Sequence, residues 1–123
     1  MARTLLVVED EPSIADLLAL VLREEGYLVA VAGDGRAALR RLGEGGCDLV
    51  LSDVMMPYLD GLGLARAMRA DPALRAIPLI LMSAVYRWPD GAVPHAPFVA
   101  KPFDLDQILT TVARLLAPED SQR

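Results

Sequence analysis

The centre of the chain carries the stretch that decides its fold, since residues 49–57 read LVLSDVMMP. The apolar residues from Leu49 lead straight to Ser52 and Asp53, with no alternation of polar and apolar side chains. A short uninterrupted apolar run is typical of a parallel strand that is covered on both faces. Residues 5–8 and 79–82 have the same form and also end at polar residues. These runs predict a buried parallel sheet.

Helical patterns lie between these strands. Apolar residues at the spacing of one helix face are expected to pack on the sheet, and in the first helix they are Ile14, Leu17, Leu18, Val21 and Leu22. Pro12 suits the first turn of this helix and Gly26 its end. Two further strands are predicted, over residues 27–31 and immediately before Lys101. The other predicted helices lie over residues 37–42, 62–70 and 105–116, and Asp104 caps the last of them.

The alternation of strands and helices indicates the fold class. It predicts right-handed βαβ units and an α/β, doubly wound parallel sheet with helices on both faces. The 123 residues suit one domain, expected over residues 1–117, with a tail over residues 118–123. Residues 86–97 hold three prolines and a glycine where the helix between the fourth and fifth strands should stand. We expect that helix to be shortened, remodelled or disordered.

Composition excludes several classes of function. The formal net charge is −5 and no stretch concentrates lysine or arginine, so direct nucleic-acid binding is not expected. The chain has no apolar run long enough to cross a membrane and no signal-peptide pattern, which predicts a cytoplasmic protein. The single cysteine, Cys47, cannot form an internal disulfide and is interpreted as a small buried apolar residue.

Polar residues at the strand ends are the candidates for function. In an open parallel sheet, ligands bind outside the carboxyl ends of the strands. Glu9 and Asp10 follow the first strand, Asp53 the third and Ser83 the fourth, and Lys101, the only lysine in the chain, follows the fifth. Clustered carboxylates need compensation by cations or by proton uptake, and oxygen ligands without histidine or cysteine favour Mg²⁺ as the cation.

Five short segments carry a resemblance to a known family. Response-regulator receiver domains have motifs that are similar to VVEDE at residues 7–11, LSDVMMP at 51–57, DG at 60–61, SA at 83–84 and KPF at 101–103. The similarity extends over residues 4–116, nearly the whole chain. It implies a flavodoxin-like, three-layer (βα)5 sandwich with the sheet order 2-1-3-4-5.

The resemblance also implies a role for each matching acidic residue. Asp53 would be the phospho-acceptor. Glu9, Asp10 and Asp53 would hold Mg²⁺, together with the backbone carbonyl of Met55. Position 9 departs from the pattern, because many receivers have aspartate there. We expect the additional methylene of Glu9 to be tolerated if its carboxylate reaches the metal through water.

Three residues near the last two strands complete the implied site. Lys101 would pair with the phosphoryl oxygens, and Ser83 would hydrogen-bond the phosphoryl group after transfer. Phe98 is at the family's aromatic switch position. Together with Ser83, it would report phosphorylation to the surface. Ser83 and Lys101 are 18 positions apart, about four fewer than the family pattern leads us to expect. The family usually signals through the face formed by its fourth helix, fifth strand and fifth helix, so we expect signalling through that face to be altered or absent.

The implied function is that of a two-component or phosphorelay receiver. A sensor histidine kinase or a histidine phosphotransfer protein would donate the phosphoryl group, and the modified domain would bind an output partner or a second copy of itself. Two alternatives stay open. One is a degenerate receiver that binds or dimerises without phosphorylation. The other is a turnover phosphatase, which the absence of a second aspartate at Met55 argues against.

Overall fold

Five parallel strands form the centre of the molecule. The computed structural model describes residues 2–56, 58–83, 98–100 and 104–117. The strands are β1 (Thr4–Val8), β2 (Leu28–Ala32), β3 (Leu49–Asp53), β4 (Leu79–Ser83) and β5 (Phe98–Ala100). Their order across the sheet is β2-β1-β3-β4-β5 and each pairing is parallel. The predicted sheet and its strand order are confirmed.

Within the part of the chain that the structure describes, two helices cover each face of this sheet. They are α1 (Pro12–Glu24), α2 (Gly35–Gly43), α3 (Gly61–Ala70) and α4 (Leu105–Leu116). One buried cluster joins residues of α1 and α4 to the sheet, and a second joins residues of α2 and α3 to the opposite face. The molecule is therefore the predicted three-layer sandwich.

The strands are uninterrupted apolar runs because both faces of each are covered. In β1, Leu5 and Val7 face the cluster with α1 and α4, whereas Leu6 and Val8 face the cluster with α2 and α3. All four side chains are at most 1% exposed. Successive side chains of a strand point to opposite faces, so a strand between two helical layers needs apolar residues at every position.

Capping residues set the helix starts more closely than the apolar pattern did. Helices α2 and α3 begin at Gly35 and Gly61, earlier than the predicted residues 37 and 62. The Asp34 carboxylate accepts the Ala37 N–H at 2.9 Å, and the Asp60 carboxylate accepts the Gly63 N–H at 2.7 Å. An aspartate cap lets a helix begin at the next residue, before the first apolar side chain of its buried face.

The buried face of α1 differs from the predicted one. It consists of Ala15, Leu18, Ala19 and Leu22. Leu17, which was expected to pack on the sheet, is 43% exposed, so that prediction was wrong. The helix contacts the sheet through a narrow face that includes two small alanines, and the apolar stripe of the sequence is wider than this contact.

Two of the predictions concern the remainder of the chain. The expected loss of a regular helix between β4 and β5 falls on residues 84–97, which lie outside the described residues, as does the predicted tail over residues 118–123. Within the ranges that the structure describes, no helix combines the length and the apolar character needed to span a membrane.

Cys47 is only half-buried, so its interpretation as a buried apolar residue is right in part. Its thiol packs beside the α2 and α3 face and donates to the Leu49 carbonyl with an Sγ–O distance of 3.3 Å. Burial raises the thiol pKa above its ordinary value of 9.0. The folded chain therefore holds this proton more tightly than the unfolded chain does.

This pKa shift predicts a loss of stability in alkali. The contribution of Cys47 is intact below about pH 9 and decreases as the pH rises through the folded-state pKa. We expect the urea midpoint of the wild type to fall relative to that of Cys47→Ala as the pH rises from about 8 to about 11. A difference that stays constant over this range would contradict the raised pKa. Comparing the two proteins cancels the titration of the tyrosines.

Candidate functional site

Three carboxylates meet at the carboxyl edge of the sheet. Val8 of β1 pairs with Ser52 of β3, and this register places Glu9 level with Asp53. Carboxylate oxygens of Glu9, Asp10 and Asp53 all lie within 4.8 Å of one another. We call these three residues the acidic cluster. The sequence predicted that they would meet at this edge, and the structure brings them together.

The acidic cluster is partly removed from water. Glu9 is 2% exposed and Asp53 is 5% exposed, whereas Asp10 is open to solvent. Two carboxylates at the 4.8 Å limit repel each other by about 3–4 kcal/mol at an effective dielectric near 20. The arrangement therefore favours the approach of positive charge, either a side-chain cation or a metal ion.

The donor set fits a small divalent cation. The cluster offers carboxylate oxygens alone, which suit hard cations such as Mg²⁺ rather than zinc or copper. Oxygens on one octahedral Mg²⁺ are about 3 Å apart when adjacent and about 4 Å apart when opposite, given a metal–oxygen distance of about 2.1 Å. Separations up to 4.8 Å are close enough for one ion after small side-chain movements or with a bridging water.

The backbone at Asp53 is fixed from three directions. The Val54 N–H donates to the Met82 carbonyl of β4 at 2.8 Å. The Ser52 hydroxyl, fully buried, donates to the Asp53 carbonyl at 2.9 Å. The Gly61 N–H donates to the Val54 carbonyl at 2.9 Å and so ties the start of α3 to the end of β3. The acceptor candidate thus stands on a rigid part of the backbone.

Ser83 lies at the same edge of the sheet. Asp53 pairs with Met82 in β4, and Ser83 is the next residue and the last of that strand. Its side chain is fully buried, and its backbone position pairs with Ala100 of β5. A buried hydroxyl one position beyond the residue that pairs with Asp53 is consistent with the predicted placement.

The other predicted residues are placed only in part. Met55 follows β3 by two positions and its side chain is 67% exposed, and the predicted role of its backbone carbonyl stays a prediction. Phe98 begins β5, the strand predicted immediately before Lys101, but its side chain falls outside the described residues. Lys101 also lies outside the described part of the chain, so the predicted ion pair with the phosphoryl group stays a prediction.

One residue important to the site, Gly61, was identified from the sequence only as part of the DG motif at residues 60–61. A Cβ atom at Gly61 would lie 2.4 Å from the Asp53 carbonyl oxygen and 2.8 Å from the Val54 Cα. Only glycine permits this approach of α3 to β3. The pair Asp60-Gly61 was the available signal, but a sequence pattern does not show which backbone a glycine will contact.

With the fold and the acidic cluster established, the family can be stated. The chain belongs to the response regulator receiver domain family, whose model matches residues 5–113. Receiver domains of response regulators are signalling proteins that receive phosphoryl groups from histidine kinases. The expected fold and family resemblance are therefore both confirmed.

Individual relatives agree with this assignment. The DNA-binding response regulator MtrA of Mycolicibacterium smegmatis is 39% identical over an aligned length of 125 residues. This alignment covers 98% of this chain and 54% of MtrA. A signal receiver domain of a histidine kinase from Syntrophus aciditrophicus has a TM-score of 0.85 and 35% identity, over 94% of this chain and 90% of that one. The response regulator TrrA of Thermotoga maritima, solved with Mg²⁺ and BeF, has a TM-score of 0.82 and 34% identity, over 93% and 99% of the two chains.

The chain spans about half the length of the curated relatives it matches. The similarity to MtrA therefore concerns one part of that protein. The DNA binding for which MtrA is named is a property of that protein, and the expectation that this chain does not bind nucleic acid stays a prediction.

The close contact at Gly61 yields a test of the site's backbone. Gly61→Ala is expected to destabilise the domain by about 1–3 kcal/mol, because the new methyl group cannot fit beside the Asp53 carbonyl without moving α3. Urea unfolding measures this change. Gly43→Ala is the matched control, since a Cβ there meets no atom within 4 Å, and it should leave stability unchanged or slightly higher. Equal effects of the two substitutions would contradict the contact.

Proposed function

We propose that Asp53 is the phospho-acceptor of this receiver domain and that Glu9, Asp10 and Asp53, with the Met55 carbonyl, hold a Mg²⁺ ion beside it. The observation that carries this proposal is the acidic cluster, whose carboxylate oxygens all lie within 4.8 Å of one another at the carboxyl edge of the sheet. Within this cluster, Asp53 is buried and lies at the end of β3, the strand that pairs with both β1 and β4.

The chemistry proposed for Asp53 is a simple displacement. One oxygen of its carboxylate attacks the phosphorus of a phosphohistidine, the new O–P bond forms, and the P–N bond to the donor imidazole breaks. The hydrogen bonds at Ser52, Val54 and Gly61 keep the acceptor strand in place, so that the carboxylate meets the donor in one orientation. Hydrolysis of the acyl phosphate by water then returns Asp53 to its original state.

Compensation of negative charge is the second requirement. A bound Mg²⁺ supplies positive charge to the phosphoryl oxygens. Glu9 and Asp10 would hold that ion from the end of β1, next to Asp53 on β3. Lys101 is the proposed side-chain cation for the same oxygens, and Ser83 is the proposed hydrogen-bond donor once the phosphoryl group is in place. Phe98 is the proposed aromatic partner of Ser83 in switching.

The proposed partners follow from this chemistry. The donor is a sensor histidine kinase or a histidine phosphotransfer protein, and the output is a change in binding to another protein or to a second copy of the domain. We propose a receiver domain over residues 1–117 that does not itself bind nucleic acid, in keeping with its net charge of −5. The alternative of a receiver that works without phosphorylation is not favoured, because the acidic cluster is complete.

The acceptor assignment can be tested by mass spectrometry. Incubation of the wild type with acetyl phosphate and Mg²⁺ is expected to give one phosphoryl adduct per chain, and Asp53→Asn should give none, since an amide is not a competent nucleophile here. Glu44→Gln is the control, because it also removes one negative charge, but at the C-terminal end of α2 and outside the acidic cluster. It should form the adduct as the wild type does. An adduct that forms equally on Asp53→Asn would refute the assignment, and no adduct on either protein would favour the phosphorylation-independent alternative.

Metal binding can be tested without any phosphodonor. A ligand that binds only the folded state should raise the free energy of unfolding by about 2.7 kcal/mol at about 100 times its dissociation constant. We expect Mg²⁺ to raise the melting temperature of the wild type, and Asp10→Asn to remove most of this increase. Without Mg²⁺, Asp10→Asn should be slightly more stable than the wild type, because one repelling charge is gone. An equal response of both proteins to Mg²⁺ would place the ion elsewhere.

A further inference from the structure

The loop between β3 and α3 contains an unusual residue. Tyr58 has φ = +66°, and it is the one non-glycine residue with positive φ among those the structure describes. The left-handed region is disfavoured for a bulky side chain. Burial does not account for this conformation, because Tyr58 is 77% exposed. Some other contact must therefore stabilise this tyrosine in place.

That contact comes from the start of α2. The Arg36 guanidinium lies over the Tyr58 ring, 4.1 Å from its centroid, which is the geometry of a cation–π interaction. Arg36 is the second residue of α2, where a positive charge meets the unfavourable end of the helix dipole. Neither residue suits its local backbone position, and the stacking of one on the other is the feature that accounts for both.

A backbone contact fixes the same loop to the same helix. The Gly35 N–H donates to the Leu59 carbonyl at 3.1 Å. A Cβ atom at Gly35 would lie 2.5 Å from that carbonyl oxygen, so the two segments are as close as their backbones allow. Adjacent residues of α2, Gly35 and Arg36, thus contact adjacent residues of the loop, Leu59 and Tyr58.

We infer that Arg36 is a positioning residue for the metal site and acts through Tyr58. The loop that Arg36 holds also carries Met55, whose backbone carbonyl is the proposed fourth protein oxygen for Mg²⁺. The inference rests on the proposed function in this respect. Arg36 does not itself contact the metal. It restricts the loop and so reduces the freedom that Met55 must lose when its carbonyl binds the ion.

The sign of the effect distinguishes positioning from simple electrostatics. Removal of a positive charge near a cation site should strengthen the binding of Mg²⁺, because repulsion of the ion decreases. Loss of a positioning contact should instead weaken it. Arg36→Gln is therefore expected to bind Mg²⁺ about two- to fivefold more weakly than the wild type, a change in keeping with an exposed cation–π pair. Isothermal titration calorimetry of the full chain with MgCl₂ measures this ratio.

Three further variants isolate the contact. Tyr58→Asn removes the ring but keeps a residue that tolerates the left-handed region, and it should match Arg36→Gln. Tyr58→Phe keeps the ring and should bind Mg²⁺ as the wild type does. Arg40→Gln removes an exposed arginine from the last turn of the same helix and should not weaken binding. The double variant Arg36→Gln/Tyr58→Asn should be no weaker than either single variant, because both remove one interaction.

Amide hydrogen exchange gives a second measure that does not depend on bound metal. Without Mg²⁺, the amides of Met55 and Met56 should exchange faster in Arg36→Gln than in Arg40→Gln, at equal urea midpoints. Mg²⁺ affinity that is equal to or tighter than the wild type in Arg36→Gln would overturn the inference. A wild type that binds no Mg²⁺ would instead refute the proposed metal site, and unchanged exchange of the loop amides would then overturn the role of Arg36 as well.

Discussion

The sheet holds the acidic cluster together against its own electrostatic repulsion. The proximity of Glu9 and Asp53 follows from the pairing of β1 with β3. This register cannot slip by one residue without turning every buried side chain of the shifted strand to the opposite face of the sheet. Burial of one leucine or valine side chain stabilises the fold by about 1.5–3 kcal/mol. The fully buried residues of β1 and β3 together outweigh a repulsion of about 3–4 kcal/mol between two carboxylates. The three carboxylates therefore stay together at this edge in the folded chain.

The surroundings of Asp53 divide into a buried side and an exposed side. On the buried side, hydrogen bonds from Ser52 and to Met82 hold the strand, and Gly61 allows α3 to approach it closely. On the exposed side, the loop that follows is open to solvent at Met55 and Tyr58. Gly35 and Arg36 of α2 contact this loop at Leu59 and Tyr58. Contacts on both sides therefore restrict the backbone around Asp53, which suits its proposed role as a nucleophile, because displacement at phosphorus depends on orientation.

The residue patterns were sufficient for the parallel sheet and for the members of the acidic cluster, whereas the order of the strands came from the family resemblance. The sheet and the cluster depend on patterns that a sequence displays directly, namely apolar runs bounded by polar residues and the rule that parallel strands end at one edge. The exposure of Leu17 could not be predicted, because helix periodicity does not give the width of the contact with the sheet. The contacts of Gly61 with Asp53 and of Arg36 with Tyr58 could not be predicted either. Each joins residues of different segments, and their proximity is decided by how the helices are placed on the sheet.

The glutamate at position 9 shows how a longer acidic side chain is accommodated at this edge. Its backbone N–H donates to the Ala32 carbonyl of β2 at 3.0 Å, so the residue stays in line with β1 although the strand has ended. The Glu11 N–H donates to one Glu9 carboxylate oxygen at 3.4 Å, which holds the side chain beside its own segment. The additional methylene is accommodated there, since the carboxylate remains within 4.8 Å of those of Asp10 and Asp53 while its residue is only 2% exposed. The acidic cluster therefore depends on where the carboxylate oxygens lie, and the glutamate at position 9 satisfies that requirement.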